Sequence, residues 1–408
     1  MPGVLVTALG AAVPAAAQSD AGGRRAAPQP TRLQMSMDSG FETIGSTGVL
    51  AGPPDTANAA IRLRSEISHD RTSRRASLRM WAGVTADQGL RGTFHGALSE
   101  AMRVDAGVQM SRRMRFDLSE SVSWAPLDLF TVFGSVSPSA SRPVIGSSSE
   151  LDGGRTLTHD FRGGLTRTIG TRLSMSLTGG TGTSQTYGGG SYASRSLGAR
   201  VTRQSGRFTS WHAGYRAVAA DFVSRPAERG RSVRHDLDGG FTYARPLSFW
   251  RHTSASFDTG STLLTTDEGL RFRLNLTAAV ERQMTAHWST RVDYSRPIEF
   301  VAGFVEPLLS DAVRLSLTGK IDRRLTVTVT GGYASGTAGV TTTASPFRSA
   351  AGSVVLARQI HPEWRVEAEW SAARYGFATA SALPASIPER FTRQNTRVRL
   401  VWTPAVMR

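Results

Sequence analysis

From Ala312 to Gly336 the chain alternates apolar and polar residues almost without a break. Val313, Leu315, Leu317, Gly319 and Ile321 fall on one side, and Arg314, Ser316, Thr318 and Lys320 on the other. After Asp322, Arg323 and Arg324, a second run sets Leu325, Val327, Val329, Gly331 and Tyr333 against Thr326, Thr328 and Thr330. Successive side chains of a strand point to opposite faces, so the segment predicts a β-hairpin with one apolar and one polar face. A chain made of such units must cover its apolar faces with a second layer or with lipid.

The unit recurs. Short turns are expected near Gly170, Gly206, Leu247, Thr285, Asp322 and His361, spaced 36 to 41 residues apart. Longer connections are expected between them, at Gln185 to Tyr192, Asp221 to Arg231, Thr265 to Gly269, Ile298 to Asp311, Ala338 to Pro346 and Phe377 to Arg390. Upstream, Ala60 to His69 pairs with Arg75 to Ala86, and Ala101 to Ser111 with the strand that follows it. A segment from Ala125 to Arg155 reads as an extended loop. Short turns at one end and long loops at the other are the asymmetry of membrane barrels. A propeller or solenoid would share the period, but these units have no fixed internal motif.

Charge placement sharpens the choice. In Leu270 to Val280, Arg271, Arg273, Asn275 and Thr277 oppose Leu270, Phe272, Leu274, Leu276, Ala278 and Val280; in Trp364 to Ala372, Arg365, Glu367, Glu369 and Ser371 oppose Trp364, Val366, Ala368 and Trp370. Acids and bases on one continuous face predict a wet wall with partial charge pairing. So many consecutive hairpins leave no apolar partner other than lipid for the opposite face. Glu120 breaks the rule, because it falls in register with Met114, Phe116, Leu118, Val122 and Trp124; a rim or a bulge is the expected remedy.

The net charge of +16 comes almost wholly from arginine, since Lys320 is the single lysine among 48 basic residues. The arginines alternate along strands instead of clustering, which argues against a nucleic-acid partner. The chain has no cysteine, which removes disulfides and thiolate sites. Its eight histidines show no metal-ligand spacing. His159-Asp160 and His235-Asp236 are neighbours on strands and so point to opposite faces, which denies either a catalytic dyad. The glycine pairs Gly163-Gly164, Gly179-Gly180, Gly239-Gly240 and Gly331-Gly332 lie within strands and read as points of curvature, not phosphate cradles. No catalytic residue, cofactor or metal is expected.

Three regions are predicted. Residues 1–17 resemble the apolar and small-residue parts of a secretory signal, residues 18–31 form a disordered periplasmic leader, and residues 32–408 form one barrel. Arg32 to Ile44 supplies the first strand and Phe391 to Thr403 the last. The expected fold is all-β, an antiparallel up-and-down transmembrane β-barrel of about 18 strands, with 16 as the alternative. Its lumen wall would include Arg271, Arg273, Arg314, Lys320, Arg365, Glu367 and Glu369, and an aromatic girdle would include Trp211, Trp250, Trp288 and Trp364.

Together with the hairpin series, the segments SESVSWAPLDLF, FVAGFVEPLLSDAV and RVRLVWTP resemble bacterial outer-membrane β-barrel (porin-like) proteins. The resemblance implies an outer-membrane location, the lipid bilayer and the outer-membrane assembly machinery as partners, and no catalytic residues. An arginine-rich lumen would suit a passive pore for small polar or anionic solutes. A closed structural or export-accessory barrel, for surface polysaccharide for example, is the alternative, and an outer-membrane enzyme is the third reading.

Overall fold

The computed structural model describes residues 32–47, 56–89, 97–126, 155–186, 190–206, 208–225, 228–243, 253–266, 269–296, 298–299, 307–338, 345–378 and 389–404. The expected signal and leader, residues 1–31, lie outside them, as do 127–154 of the long loop and the turn near Leu247. Among the described residues no helix is long and apolar enough to cross a membrane.

Among the described residues nineteen strand elements follow in chain order. They are β1 (Arg32–Thr47), β2 (Thr56–Thr72), β3 (Ala76–Gly89), β4 (Ala97–Ser111), β5 (Met114–Pro126) and β6 (Arg155–Ile169). Next come β7 (Leu173–Thr186), β8 (Ser191–Gln204), β9 (Thr209–Arg225), β10 (Glu228–Tyr243), β11 (Thr253–Thr266) and β12 (Gly269–Gln283). The series ends with β13 (Trp288–Ser295), β14 (Ile298–Glu299), β15 (Leu308–Lys320), β16 (Leu325–Ala338), β17 (Ser345–His361), β18 (Trp364–Phe377) and β19 (Arg390–Trp402).

Apart from β13 and β14, each strand pairs antiparallel with its sequence neighbours, and β1 pairs with both β2 and β19, which closes the ring. β13 and β14 lie along β15 in one unbroken register, Ser295 opposite Ala312 and Ile298 opposite Leu309, so they are two parts of one interrupted strand. Among the described residues the barrel therefore has eighteen strands. Arg32–Thr47 is the member that makes the number even, as alternate up and down strands require when both ends of the chain fall on the same side.

The faces follow from register. Leu270, Phe272 and Leu274 of β12 are 63%, 65% and 57% exposed, and the same face continues through Val313 and Leu315 of β15 to Val398 and Leu400 of β19. The opposite face of these strands carries the charges. Large apolar side chains turned outward all the way round make sense only against acyl chains, because water would penalise each by up to about 2 kcal/mol. The short turns 73–75, 112–113, 170–172, 284–287, 321–324 and 362–363 gather at one end.

Two expectations need correction. The connection expected over Asp221 to Arg231 is mostly strand, since β9 runs to Arg225 and β10 starts at Glu228. Asp221 and Arg231, both on the outer side, stand 3.9 Å apart there. Glu120 sits at neither rim nor bulge. Its pairing with Val104 on β4 and Phe161 on β6 is regular, and the only shift between β4 and β5 lies at Gln109/Ser111, by the turn. Its carboxylate Oε1 instead meets His159 Nε2 at 2.7 Å on the same outer face. Val104, Val122 and Phe161 surround it and leave its side chain 11% exposed.

Candidate functional site: the charged lumen wall

The inner face is built on one local device. On a strand, residues two apart share a face, and the wall repeatedly places an arginine two residues before an acid. Arg103 and Asp105 meet at 3.1 Å, Arg115 and Asp117 at 2.7 Å, Arg234 and Asp236 at 3.0 Å, Arg291 and Asp293 at 2.6 Å, and Arg365 and Glu367 at 2.7 Å. Arg64 and Glu66 form the same kind of pair. Other pairs cross strands: Arg397 holds Glu369 at 2.9 Å and Arg399 holds Glu367 at 3.2 Å.

A second device spans three strands. His212 on β9, Gly240 on β10 and Asp258 on β11 share one rung, and across the glycine His212 Nε2 reaches Asp258 Oδ2 at 2.5 Å. A Cβ on Gly240 would lie 2.6 Å from the Phe257 carbonyl oxygen and 2.7 Å from His212 Cε1, so the contact needs glycine there. In the neighbouring rung Arg200, Gly214, Asp238 and Gly260 follow one another, and Arg200 Nη2 donates to Asp238 Oδ2 at 2.7 Å over Gly214. His212, Asp238 and Asp258 present ligand-type atoms within 4.8 Å of one another. Arg200 occupies one carboxylate of the group, which makes it a charge-compensated network spanning four strands. Gly240, read from sequence as a point of curvature, is thus the gap that lets the pair close.

The predicted wall residues take separate places. Arg365, Glu367 and Glu369 join Arg397 and Arg399 in the β18–β19 network. Arg273 donates to the Ser310 carbonyl oxygen at 2.8 Å, past the end of β13. Arg314 lies in a rung between Asp293 and Gly332, and Lys320 ends β15, exposed beside the short turns. Among the described residues no carboxylate comes within salt-bridge distance of Arg162, Arg216, Arg271 or Arg314, so positive charge is in excess along this face. These groups do not converge on one constriction.

Of the predicted girdle, Trp211 is 53% exposed on the outer face and packs on Phe241 at 5.4 Å, and Trp364 stacks on Trp402 at 6.0 Å. Trp288 lies over Gly319, which has no side chain to obstruct the ring. Trp250 lies outside the described residues. Both adjacent His-Asp pairs are split between faces: His159 bonds Glu120 outside, and His235 Nδ1 meets the Tyr215 hydroxyl at 2.7 Å outside, whereas Asp236 accepts from Thr262 at 2.5 Å inside.

No family profile and no curated protein matches this chain. Among solved structures it is similar to OccK9 (OpdG) of Pseudomonas aeruginosa, with 12% identity, a TM-score of 0.48, and coverage of 92% of this chain and 98% of that one. OccK2 (OpdF) of the same organism, solved in complex with glucuronate, gives 9% identity, a TM-score of 0.48 and coverage of 92% and 98%. The siderophore receptor PirA, also from Pseudomonas aeruginosa, gives 9% identity, a TM-score of 0.43 and coverage of 93% and 81%. The architecture itself rests on the chain's own register. The eighteen described strands, in a closed antiparallel ring that is apolar outside and charged inside, define a transmembrane β-barrel.

Proposed function

We propose that the barrel is a passive channel for small polar solutes, with a preference for anions. The observation that carries this reading is the inner face itself, where ion pairs recur around the wall and, among the described residues, no carboxylate lies within salt-bridge distance of Arg162, Arg216, Arg271 or Arg314. A wall of paired charges offers many weak, hydrated contacts and no single deep site, which suits passage over retention. The uncompensated guanidinium groups then tilt the potential toward anions without creating a tight binding point. Trp211, Trp288 and Trp364, all on the outer face next to short turns, would anchor the barrel at one membrane interface.

The test is conductance of the purified protein in planar bilayers under a salt gradient. A reversal potential on the anion-selective side is expected. Cation selectivity would overturn the arginine argument, and complete absence of conductance would leave a closed scaffold as the better reading.

A further inference from the structure

The outer face at the loop end of β17, β18 and β19 carries a group of charges that the channel reading does not use. Arg348, Gly376 and Arg390 form one rung, and Arg374 lies in the next, between Ala350 and Thr392. All of these alternate with inward side chains such as Phe347, Tyr375 and Phe377, which are 2%, 1% and 5% exposed, so the three arginines point away from the lumen. Their strands lie about 4.8 Å apart, which puts Arg348 and Arg390 about 10 Å from each other across a residue with no side chain. Arg374 stands diagonally between them, within about 8 Å of each.

A pocket of about 670 Å³ opens among Tyr333, Arg348, Ala350, Arg374, Gly376 and Arg390. Among the described residues no carboxylate pairs with any of the three arginines. The neighbouring segments 339–344 and 379–388 contain no acidic residue, and Glu389 is the one acid adjacent in sequence. On the inner face six arginines are answered by an acid two residues away. Here three like charges face outward around an open space, directly above the apolar band marked by Trp370 and Val398.

We propose that this pocket binds the phosphorylated sugar headgroup of a membrane glycolipid in the leaflet at the loop end. Guanidinium groups hold phosphate oxygens in paired hydrogen bonds, and three of them spread over about 10 Å fit a headgroup larger than one phosphate. Tyr333, 47% exposed on the pocket edge, offers an aromatic face to a sugar ring. The acyl chains of such a lipid would continue down the apolar outer face of β16 to β19. The site is independent of what passes through the lumen.

The experiment places the full-length barrel in phosphatidylcholine nanodiscs doped with a bisphosphorylated glycolipid, its dephosphorylated form, or phosphatidylglycerol, and measures retained lipid by native mass spectrometry. Retention of the bisphosphorylated glycolipid is expected to exceed that of the other two by about tenfold. The triple variant Arg348→Ala, Arg374→Ala, Arg390→Ala should lose that preference. Gly376→Leu keeps every charge and fills the space, and should weaken retention several-fold. Equal retention of the phosphorylated and dephosphorylated forms, or an unchanged triple variant that still shows heat-modifiable gel mobility, would overturn the proposal. Phosphatidylglycerol held as well as the glycolipid would overturn the sugar component.

Discussion

The His212–Gly240–Asp258 rung inside the barrel and the Arg348–Gly376–Arg390 rung outside it share a plan and differ in outcome. In each, a glycine separates two charged or polar side chains and lets them approach across a strand. Inside, the partners are complementary and close to 2.5 Å, with Arg200 balancing the adjoining Asp238. Outside, the partners are alike and the space between them stays open. The inner glycine completes a wall, whereas the outer one leaves a space that no side chain among the described residues fills.

Substituting the two glycines separates these cases most sharply. Gly240→Val drives a side chain into the Phe257 carbonyl and should cost about 3 kcal/mol by overpacking, seen as a lower melting point of the heat-modifiable form. Gly376→Ala meets nothing closer than Arg390 Cγ at 3.6 Å, and should change stability by less than about 0.5 kcal/mol. Equal costs would erase the distinction.

A third polar pair tests whether complementarity alone decides the outcome on the outer face. His159→Leu leaves the Glu120 carboxylate without its partner among apolar groups and should cost about 2 kcal/mol in a denaturant titration. The double variant Glu120→Leu, His159→Leu should recover most of that loss, because an apolar pair of similar size belongs on that face. A double variant as unstable as the single one would show that the pair does more than neutralise itself.

Smaller effects are expected from the excess charge of the wall. Arg271→Glu combined with Arg314→Glu should shift the anion-to-cation permeability ratio roughly twofold toward cations, read from the reversal potential, since each is one charge among the many that the inner face carries. The smallest effect belongs to the short turn at Asp322, outside both regions. The Arg324 and Leu325 backbone N–H groups donate to its carboxylate at 2.5 and 2.7 Å and hold its pKa below the usual aspartate value. The resulting stabilisation is present above the ordinary aspartate pKa and is lost as pH falls through the lowered one. Asp322→Ala should therefore be slightly less stable than the parent at neutral pH, and the gap should close in acid, as followed by thermal melts.

Alternation was enough to assign faces along β12, β15, β16 and β18, because the period of two is a property of one strand and needs no partner. The arginine-x-acid pairs were legible for the same reason, although only the general mixture of charges was read from them. What escaped was every contact that depends on register between strands. His212 and Asp258 are 46 residues apart, and nothing local announces that Gly240 lies between them. Arg348, Arg374 and Arg390 are spread over 43 positions of the chain, and only strand pairing brings them into two adjacent rungs. Glu120 was recognised as out of place, but its remedy sat on another strand beyond a long connection, where a local reading could look only for a bulge.

The Glu120–His159 bond also sets a timetable for how the barrel is made. β5 and β6 are separated by residues 127–154, so the two partners are synthesised and delivered apart. A β5 strand entering hydrocarbon alone would carry a bare carboxylate past acyl chains, and β6 alone would carry an unanswered imidazole. Pairing β5 with β6 before either meets lipid would spare both groups that exposure, across a connection of 28 residues.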